Sequence, residues 1–173
     1  MGFLKKIFFN EQLENELKEK IPAIMPEGAI LQINNGFFPN IKTTRILLAS
    51  NEKCCFVERV ILINEKIKKH TEGKTKGISF RICKGLTYRV GNYAGNPVET
   101  KIIEKTKGLI YITNKRIIFV SEENSFEKKY NTLTASIVFN EGINLQFNTK
   151  SYKFLMPNSF VLNKVLNMIN NME

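Results

Sequence analysis

Cysteine, histidine and acidic side chains are the first residues to examine for chemistry, because nucleophilic attack, proton transfer and metal ligation mostly depend on them. All 16 acidic residues are Glu, so the chain of 173 residues contains no Asp, and His70 is its only histidine. The absence of Asp excludes a Ser-His-Asp relay, an EF-hand loop and the Asp that holds magnesium in kinases and P-loop enzymes. His70 has only Glu65 and Glu72 close in sequence to orient it. We therefore predict that the protein is not an enzyme and needs no cofactor.

The three cysteines, Cys54, Cys55 and Cys83, follow no ligand or disulfide pattern. Their number is odd, and neither a CxxC pair nor a Cys/His spacing is present, so no metal site and no disulfide framework are predicted. If Cys54 and Cys55 lie on a strand, they point to opposite faces, and one of them fills the core. Free thiols and the lack of an apolar run long enough to cross a bilayer predict a cytoplasmic protein, with peripheral attachment at the inner membrane face as an option.

Positive charge is concentrated in the middle of the chain. The sequence has 26 Lys and Arg against 16 Glu, and residues 42–120 hold 17 of these cations but only 6 of the Glu. The charge is densest between residues 66 and 89, where eight cations accompany one acid. A basic region of this kind attracts phosphate, nucleic acid or an acidic membrane face. We predict that these eight cations bind an anion: Lys66, Lys68, Lys69, Lys74, Lys76, Arg81, Lys84 and Arg89.

The first five of these lysines are predicted to share a loop. Residues 56–63 and 78–82 have the composition of neighbouring strands, so the basic stretch between them would lie at one end of a sheet, where several ammonium groups can converge on phosphates. Each lysine near an anionic surface contributes about 1 kcal/mol, so four or five give a salt-sensitive affinity. The alternative is a solvated loop that reflects an AT-rich coding sequence, since the chain also contains 20 Asn and 21 Ile.

The remaining three cations form a second cluster with two tyrosines. Arg81, Lys84 and Arg89 accompany Tyr88 and Tyr93 and could bind phosphate or stack on bases. The simpler interpretation is that each Arg faces solvent from an ordinary strand.

The N-terminus is predicted to be an interaction surface. Five apolar residues surround Lys5 and Lys6, and they could lie in a membrane interface with the lysines at the head groups. We favour packing against the domain or a partner subunit, because so short a segment buries little area in a membrane. The five residues are Phe3, Leu4, Ile7, Phe8 and Phe9.

Apolar periodicity outlines a mainly β fold between terminal helices. Residues 10–21 repeat their apolar positions every four residues, which predicts an N-terminal helix. Strands are predicted from residue 56 onward, with a turn at residues 91–97, and a final helix has the stripe Leu162, Val165, Leu166, Ile169 and Met172. Such a helix needs a sheet face to cover. The predicted architecture is a curled antiparallel sheet or small barrel capped by the C-terminal helix.

One hairpin resembles a known family. Gly108 to Val120, with the sequence GLIYITNKRIIFV, is similar to the G-x-L-x-I-T-N-x-R-L-I-F hairpin of GRAM and bacterial PH-like domains, with Ile110 and Ile117 where the pattern has Leu. The resemblance implies a seven-stranded PH-like barrel with one open end closed by a helix. It divides the chain into residues 1–50, an N-terminal helix and an irregular segment that pack on the domain, and residues 51–173, the PH/GRAM-like domain.

The resemblance implies a binding module and leaves its ligand open, because one fold serves many functions. We expect a bacterial or phage protein that docks on an anionic membrane face or phosphorylated head group. The alternative is a protein interaction module, an adaptor or a homo-oligomer, that uses the N-terminal segment or an open sheet edge. A third option is non-specific nucleic-acid binding, for which there are few aromatic residues among the cations.

Overall fold

The computed structural model describes residues 21–83 and 86–172, and for residues 67–101 it describes the backbone alone. The predicted helix over residues 10–21 falls outside this part except for its last residue, and Phe3, Leu4, Ile7, Phe8 and Phe9 fall outside it entirely. The described helices are α1 (Glu27–Asn34) and α2 (Ser159–Asn170), and the strands are β1 (Cys54–Cys83), β2 (Leu86–Thr113), β3 (Arg116–Ser121), β4 (Phe126–Lys129), β5 (Leu133–Phe139), β6 (Gly142–Phe147) and β7 (Lys150–Leu155). The predicted mainly β fold with a C-terminal helix is confirmed.

The strands form one antiparallel sheet in the order β4-β3-β2-β1-β7-β6-β5. The hairpin of β2 and β3 places Ile112 opposite Ile117, with Asn114 and Lys115 in the turn, as the sequence predicts. At the other side of the sheet, β6 pairs with both β5 and β7. Among the described residues, β4 and β5 each have a single neighbour, so the sheet does not close into a barrel.

Connectivity and ring contacts show that the sheet curls. Although β4 and β5 lie at opposite edges, they are joined only by the 3-10 turn Tyr130–Thr132. So short a connection spans only a few ångströms per residue, so the two edges approach each other at this corner. Phe126 of β4 lies 4.5 Å from Tyr152 of β7 between ring centroids, and Phe119 of β3 lies 5.6 Å from Phe154.

The main core lies between the inner face of the curled sheet and the two helices. Phe56, Phe119 and Phe154 are fully buried there and meet the apolar stripe of α2. That predicted stripe is confirmed at Leu162, Val165, Leu166 and Ile169 but is wrong at Met172, which is 73% exposed beyond the end of the helix. Ala29 and Ile33 of α1 join the same cluster, and α1 packs against α2.

A smaller apolar cluster occupies the outer face of the sheet. Cys54, Tyr111 and Ile118 are buried there under a segment that includes Ile41 and Leu48. Cys55 belongs instead to the main core, so the two cysteines serve opposite faces as a strand requires. The sequence assigned only one of them to the core, whereas both are buried.

Two predictions about the middle of the chain are wrong. β1 continues through residues 65–76, which were predicted to be a loop, and β2 continues through residues 91–97, which were predicted to be a turn. Lys66, Lys68, Lys69, Lys74 and Lys76 therefore lie on a strand. Glycine and lysine lower β propensity, but that propensity depends on context, and pairing with a long neighbouring strand overrides it here.

Contacts divide the chain into two compact units. One contains residues up to 64 and from 105 onward, and the other contains Glu65–Glu104, the facing parts of β1 and β2. The second unit has nine Lys and Arg against four Glu, which gives +5 of the total charge of +10.

Candidate anion-binding groove

A groove of about 860 Å³ lies on the outer side of β1, β2 and β3. Its walls include Ile61, Leu109 and Val120, all of which are partly buried. Leu109 and Val120 face each other across β2 and β3 and also pack on the outer-face cluster. The groove thus extends the apolar outer face of the sheet toward solvent.

Four cations line this groove, which we call the basic groove: Arg45, Arg59, Lys105 and Lys107. All four are exposed, whereas Thr106, between the two lysines, is buried with 6% exposure. Strand alternation explains this pattern, because residues 105 and 107 share one face of β2 while residue 106 faces the core. Glu122 and Glu123, which follow β3, line the groove as well. An apolar wall with a cationic rim suits a ligand that combines an anionic group with an apolar part.

Glu58 fixes the backbone beside Arg59. The Glu58 side chain is fully buried, and its Oε1 accepts hydrogen bonds from the backbone N–H of Ile24 at 2.8 Å and of Arg59 at 3.0 Å. Its Oε2 accepts a hydrogen bond from Nδ2 of Asn158 at 2.9 Å. A buried carboxylate is retained only when it is well hydrogen-bonded, so these donors explain its position. They tie β1 to the start of α2 and to the chain just after Ile21, another residue of the groove wall.

Tyr111 holds the segment that contains Arg45. This tyrosine is 2% exposed and hydrogen-bonds with the Thr43 side chain. Burial raises the pKa of Tyr111, and the hydrogen bond with Thr43 and the charge of Arg45 oppose that rise only in part. Tyr111 therefore stays neutral near pH 7 and acts as a fixed support under the outer segment.

The turn between β2 and β3, Thr113 to Arg116, makes hydrogen bonds with the segment that precedes β1, and we call this set of contacts the clamp. Arg116 donates from Nε to Oε1 of Glu52 at 2.9 Å and from Nη2 to the Leu47 carbonyl at 2.8 Å. Thr113 donates its hydroxyl to the same Glu52 oxygen at 2.8 Å. Asn114 exchanges hydrogen bonds with the backbone of Lys53, at 3.0 Å through its own N–H and at 2.8 Å through Oδ1. The residues that carry the family resemblance are used here to hold the fold together.

Glu52 is the acidic centre of this clamp, and its side chain is 1% exposed. Burial by itself would raise the pKa of Glu52, but hydrogen bonds from Arg116, the Ala49 backbone and Thr113 outweigh burial and lower it. The carboxylate is therefore ionised at neutral pH. Arg116 also pairs with the exposed Glu127, so its guanidinium bridges two acids.

Cys54 and Cys55, the two cysteines whose side chains are described, have thiols of low reactivity. Burial raises the pKa of Cys54 to about 12 and that of Cys55 to about 11. Because the thiolate is the reactive form, neither is suited to nucleophilic attack at neutral pH. Tyr130 lies nearby, and burial raises the pKa of its hydroxyl, which donates to the Thr113 and Arg116 carbonyls.

Only one of the eight predicted anion-binding cations has a described side chain. Lys66 is exposed, and its Nζ lies 2.8 Å from Oε2 of Glu104. Lys84 lies outside the described residues. The convergence of these cations on a ligand stays a prediction, because the structure describes only the backbone of the other six. Five of these lie on β1 and one lies on β2: Lys68, Lys69, Lys74, Lys76 and Arg81, and Arg89.

Sequence reasoning missed the four cations of the basic groove. They all belong to the basic middle part of the chain, so the total charge pointed to the correct region. Their sequence separations, from residue 45 to residue 107, hide the fact that they line one groove. Strand pairing brings them together, and a single sequence does not specify that pairing.

Within the described part of the chain, no group of three or more His, Cys or Glu residues is arranged to hold a metal ion. Neither described helix is long and apolar enough to cross a bilayer. Comparison with known proteins gives no match, since no protein-family model, no curated protein and no solved structure is significantly similar to this chain.

Proposed function

We propose that this chain is a non-catalytic binding module that docks on an anionic membrane face through phosphorylated or acidic lipid head groups. The observation that carries the proposal is the basic groove, where Arg45, Arg59 and Lys107 surround a wall that contains Leu109 and Val120. Arginine and lysine bind phosphate oxygens, and the apolar wall accepts the adjoining part of a lipid.

The strand assignment of the basic segment adds support. Residues 66, 68, 74 and 76 are all Lys and are separated by even numbers of positions within β1. A regular strand places such positions on one face. The row begins at Lys66, whose side chain is 64% exposed in its pair with Glu104. A row of lysines along a strand presents charge to a flat acidic surface better than a loop with no fixed direction.

The PH/GRAM resemblance is part of this proposal and stays a prediction. The resemblance implies a seven-stranded barrel with one open end closed by a helix, and the described residues share its seven strands and C-terminal helix but form a curled sheet that is not closed. Since the motif residues Thr113, Asn114 and Arg116 are used in the clamp, they give no information about a ligand. The choice of ligand therefore depends on the groove and on the charge of β1 and β2.

A vesicle-binding titration tests the proposal. The variant Arg45→Gln, Arg59→Gln, Lys107→Gln removes three charges from the groove, and a control, Lys128→Gln, Lys129→Gln, Lys150→Gln, removes three charges elsewhere. At about 1 kcal/mol for each cation, the groove variant should bind phosphatidylserine vesicles about 100-fold more weakly. The control should lose only a few-fold, through its lower net charge. Equal losses for both variants would contradict a role for the groove.

A second candidate function is strand addition at the sheet edge. β5 is an edge strand of seven residues, and its Ile137 is 44% exposed. A free strand edge can pair with an extended segment of another protein. If it does so between copies of this chain, light scattering should give a dimer for the wild type and a monomer for Ile137→Lys. A monomeric wild type would contradict pairing of β5 between two copies of this chain.

A further inference from the structure

Two acidic side chains, Glu122 and Glu123, line the basic groove together with its cations. The β2–β3 ladder ends at the pair of Gly108 and Ser121. Beyond that pair, the next residues are Lys107 on β2 and Glu122 after β3. All residues of the groove belong to the compact unit that holds residues up to 64 and from 105 onward. One site within a single unit therefore presents both signs of charge to a ligand.

Among the described residues, the opposite charges of the groove do not pair with each other. Glu122 and Glu123 are exposed, and neither carboxylate has a hydrogen bond or ion pair with another described residue. The same holds for the side chains of Arg59 and Lys107. Each of these groups can therefore form charge-assisted hydrogen bonds with a bound molecule. Complementary charge requires that such a molecule have an anionic and a cationic part.

The balance of charge narrows the ligand further. Four cations against two carboxylates leave the groove with a net charge of +2. A matching ligand carries more negative than positive charge, and its positive group lies next to Glu122 and Glu123. The head group of phosphatidylserine has this composition, because it contains a phosphate, a carboxylate and one ammonium group.

We propose, on the basis of the membrane docking proposed above, that the basic groove selects an acidic phospholipid whose head group carries a primary amine. The cations of the groove bind the phosphate and the carboxylate of the head group, and Glu122 and Glu123 accept hydrogen bonds from its ammonium group. The apolar wall at Leu109 and Val120 contacts the adjoining glycerol part. The volume of about 860 Å³ lies within the range of ligand pockets, about 300–1,000 Å³, so the groove has room for a whole head group.

The two acids make the groove discriminate between lipids of equal charge. Phosphatidylglycerol has the same net charge as phosphatidylserine but no ammonium group, so its binding would place an anion near Glu122 and Glu123 without compensation. Because both acids are exposed, each contact with an ammonium group is worth little. We therefore expect a preference of about threefold to tenfold for phosphatidylserine.

A comparison of two vesicle compositions tests this inference. The protein is titrated with phosphatidylcholine vesicles that contain the same mole fraction of either phosphatidylserine or phosphatidylglycerol, and the readout is the ratio of the two affinities. The variant Glu122→Gln, Glu123→Gln should lower this ratio to about one. The control Glu27→Gln, Glu141→Gln removes two exposed carboxylates outside the groove and should keep the wild-type ratio. Both variants gain the same net charge, so general attraction to acidic vesicles rises equally and cancels in the ratio.

The outcomes separate this inference from the proposed function. Equal binding of the wild type to both vesicles, or a preference that persists in Glu122→Gln, Glu123→Gln, overturns the head-group selection and leaves the docking intact. Absence of binding to either vesicle overturns both. As a second measurement, Glu122→Asp, Glu123→Asp keeps both carboxylates and should keep most of the preference. A ratio of about one in that variant, equal to the ratio of the Gln variant, would also contradict the role of the two charges.

Discussion

Arg116 holds Glu52 through two hydrogen bonds, from Nε to Oε1 at 2.9 Å and from Nη2 to Oε2 at 3.1 Å, although 64 residues separate them in the chain. The pair attaches the β2–β3 hairpin turn to the segment that leads into β1. Arg116 is 25% exposed and Glu52 is 1% exposed, so the contact is largely shielded from water. Its parallel arrangement is the geometry in which an arginine binds a carboxylate most strongly.

Removal of the Glu52 charge should destabilise the fold. In Glu52→Gln, Arg116 and the Ala49 N–H lose an ionised acceptor in a buried site, and we expect a loss of about 2–4 kcal/mol in the free energy of unfolding. Glu127→Gln is the matched control, because Glu127 pairs with the same guanidinium but is 60% exposed. It should cost less than about 1 kcal/mol. Urea denaturation of both variants gives the two values, and similar losses would contradict the role assigned to Glu52.

The lowered pKa of Glu52 predicts how the free energy of unfolding depends on pH. Because the pKa of Glu52 is lower in the folded chain than its ordinary value of 4.5, its ionisation stabilises the fold above that value. This contribution is lost as the pH falls below 4.5 through the folded-state pKa. The difference in urea midpoint between wild type and Glu52→Gln should be constant from neutral pH to about pH 5 and should narrow in more acidic buffer. A difference that widens on acidification would show the opposite sign of the pKa shift.

Substitution by alanine should change the stability of the fold in opposite directions at Gly108 and Gly28. A Cβ on Gly108 would lie 2.5 Å from the Val120 carbonyl oxygen and 2.6 Å from the Phe119 ring, so Gly108→Ala should cost about 1–3 kcal/mol. A Cβ on Gly28, within α1, would meet nothing within 4 Å. Gly28→Ala should therefore stabilise the protein by about 0.5–1 kcal/mol through helix propensity. Thermal unfolding of the two variants checks both signs, and stabilisation by Gly108→Ala would contradict the packing described here.

The fold was more predictable from the sequence than the site. Gly108, Thr113 and Arg116 lie in one short hairpin, so their local pattern suffices to predict the last residues of β2, the strand β3 and the turn between them. The stripe of α2 is likewise local, and four of its five positions are buried. Arg45, Arg59 and Lys107 come together only through strand pairing and through the packing of the outer segment. No local spacing encodes that arrangement, and the glycines in β1 and β2 made two paired strands resemble loops.

The buried thiols of Cys54 and Cys55 test whether both faces of β1 are covered, because Cys55 lies in the main core and Cys54 in the outer-face cluster. In a Cys83→Ala background, the remaining thiols are Cys54 and Cys55, both at most 2% exposed with raised pKa values. A thiol reagent such as Ellman's reagent should label neither in the native protein and both in urea. Rapid labelling of one thiol under native conditions would mean that one face of β1 is open.

Docking on an anionic bilayer is the central claim, and co-flotation of the wild-type protein with vesicles tests it most directly. The protein should float with phosphatidylserine-containing vesicles at low salt, stay in solution with pure phosphatidylcholine vesicles, and be released from the anionic vesicles at high salt, because screening weakens contacts between exposed charges. A protein that stays in solution with anionic vesicles at low salt would contradict the claim.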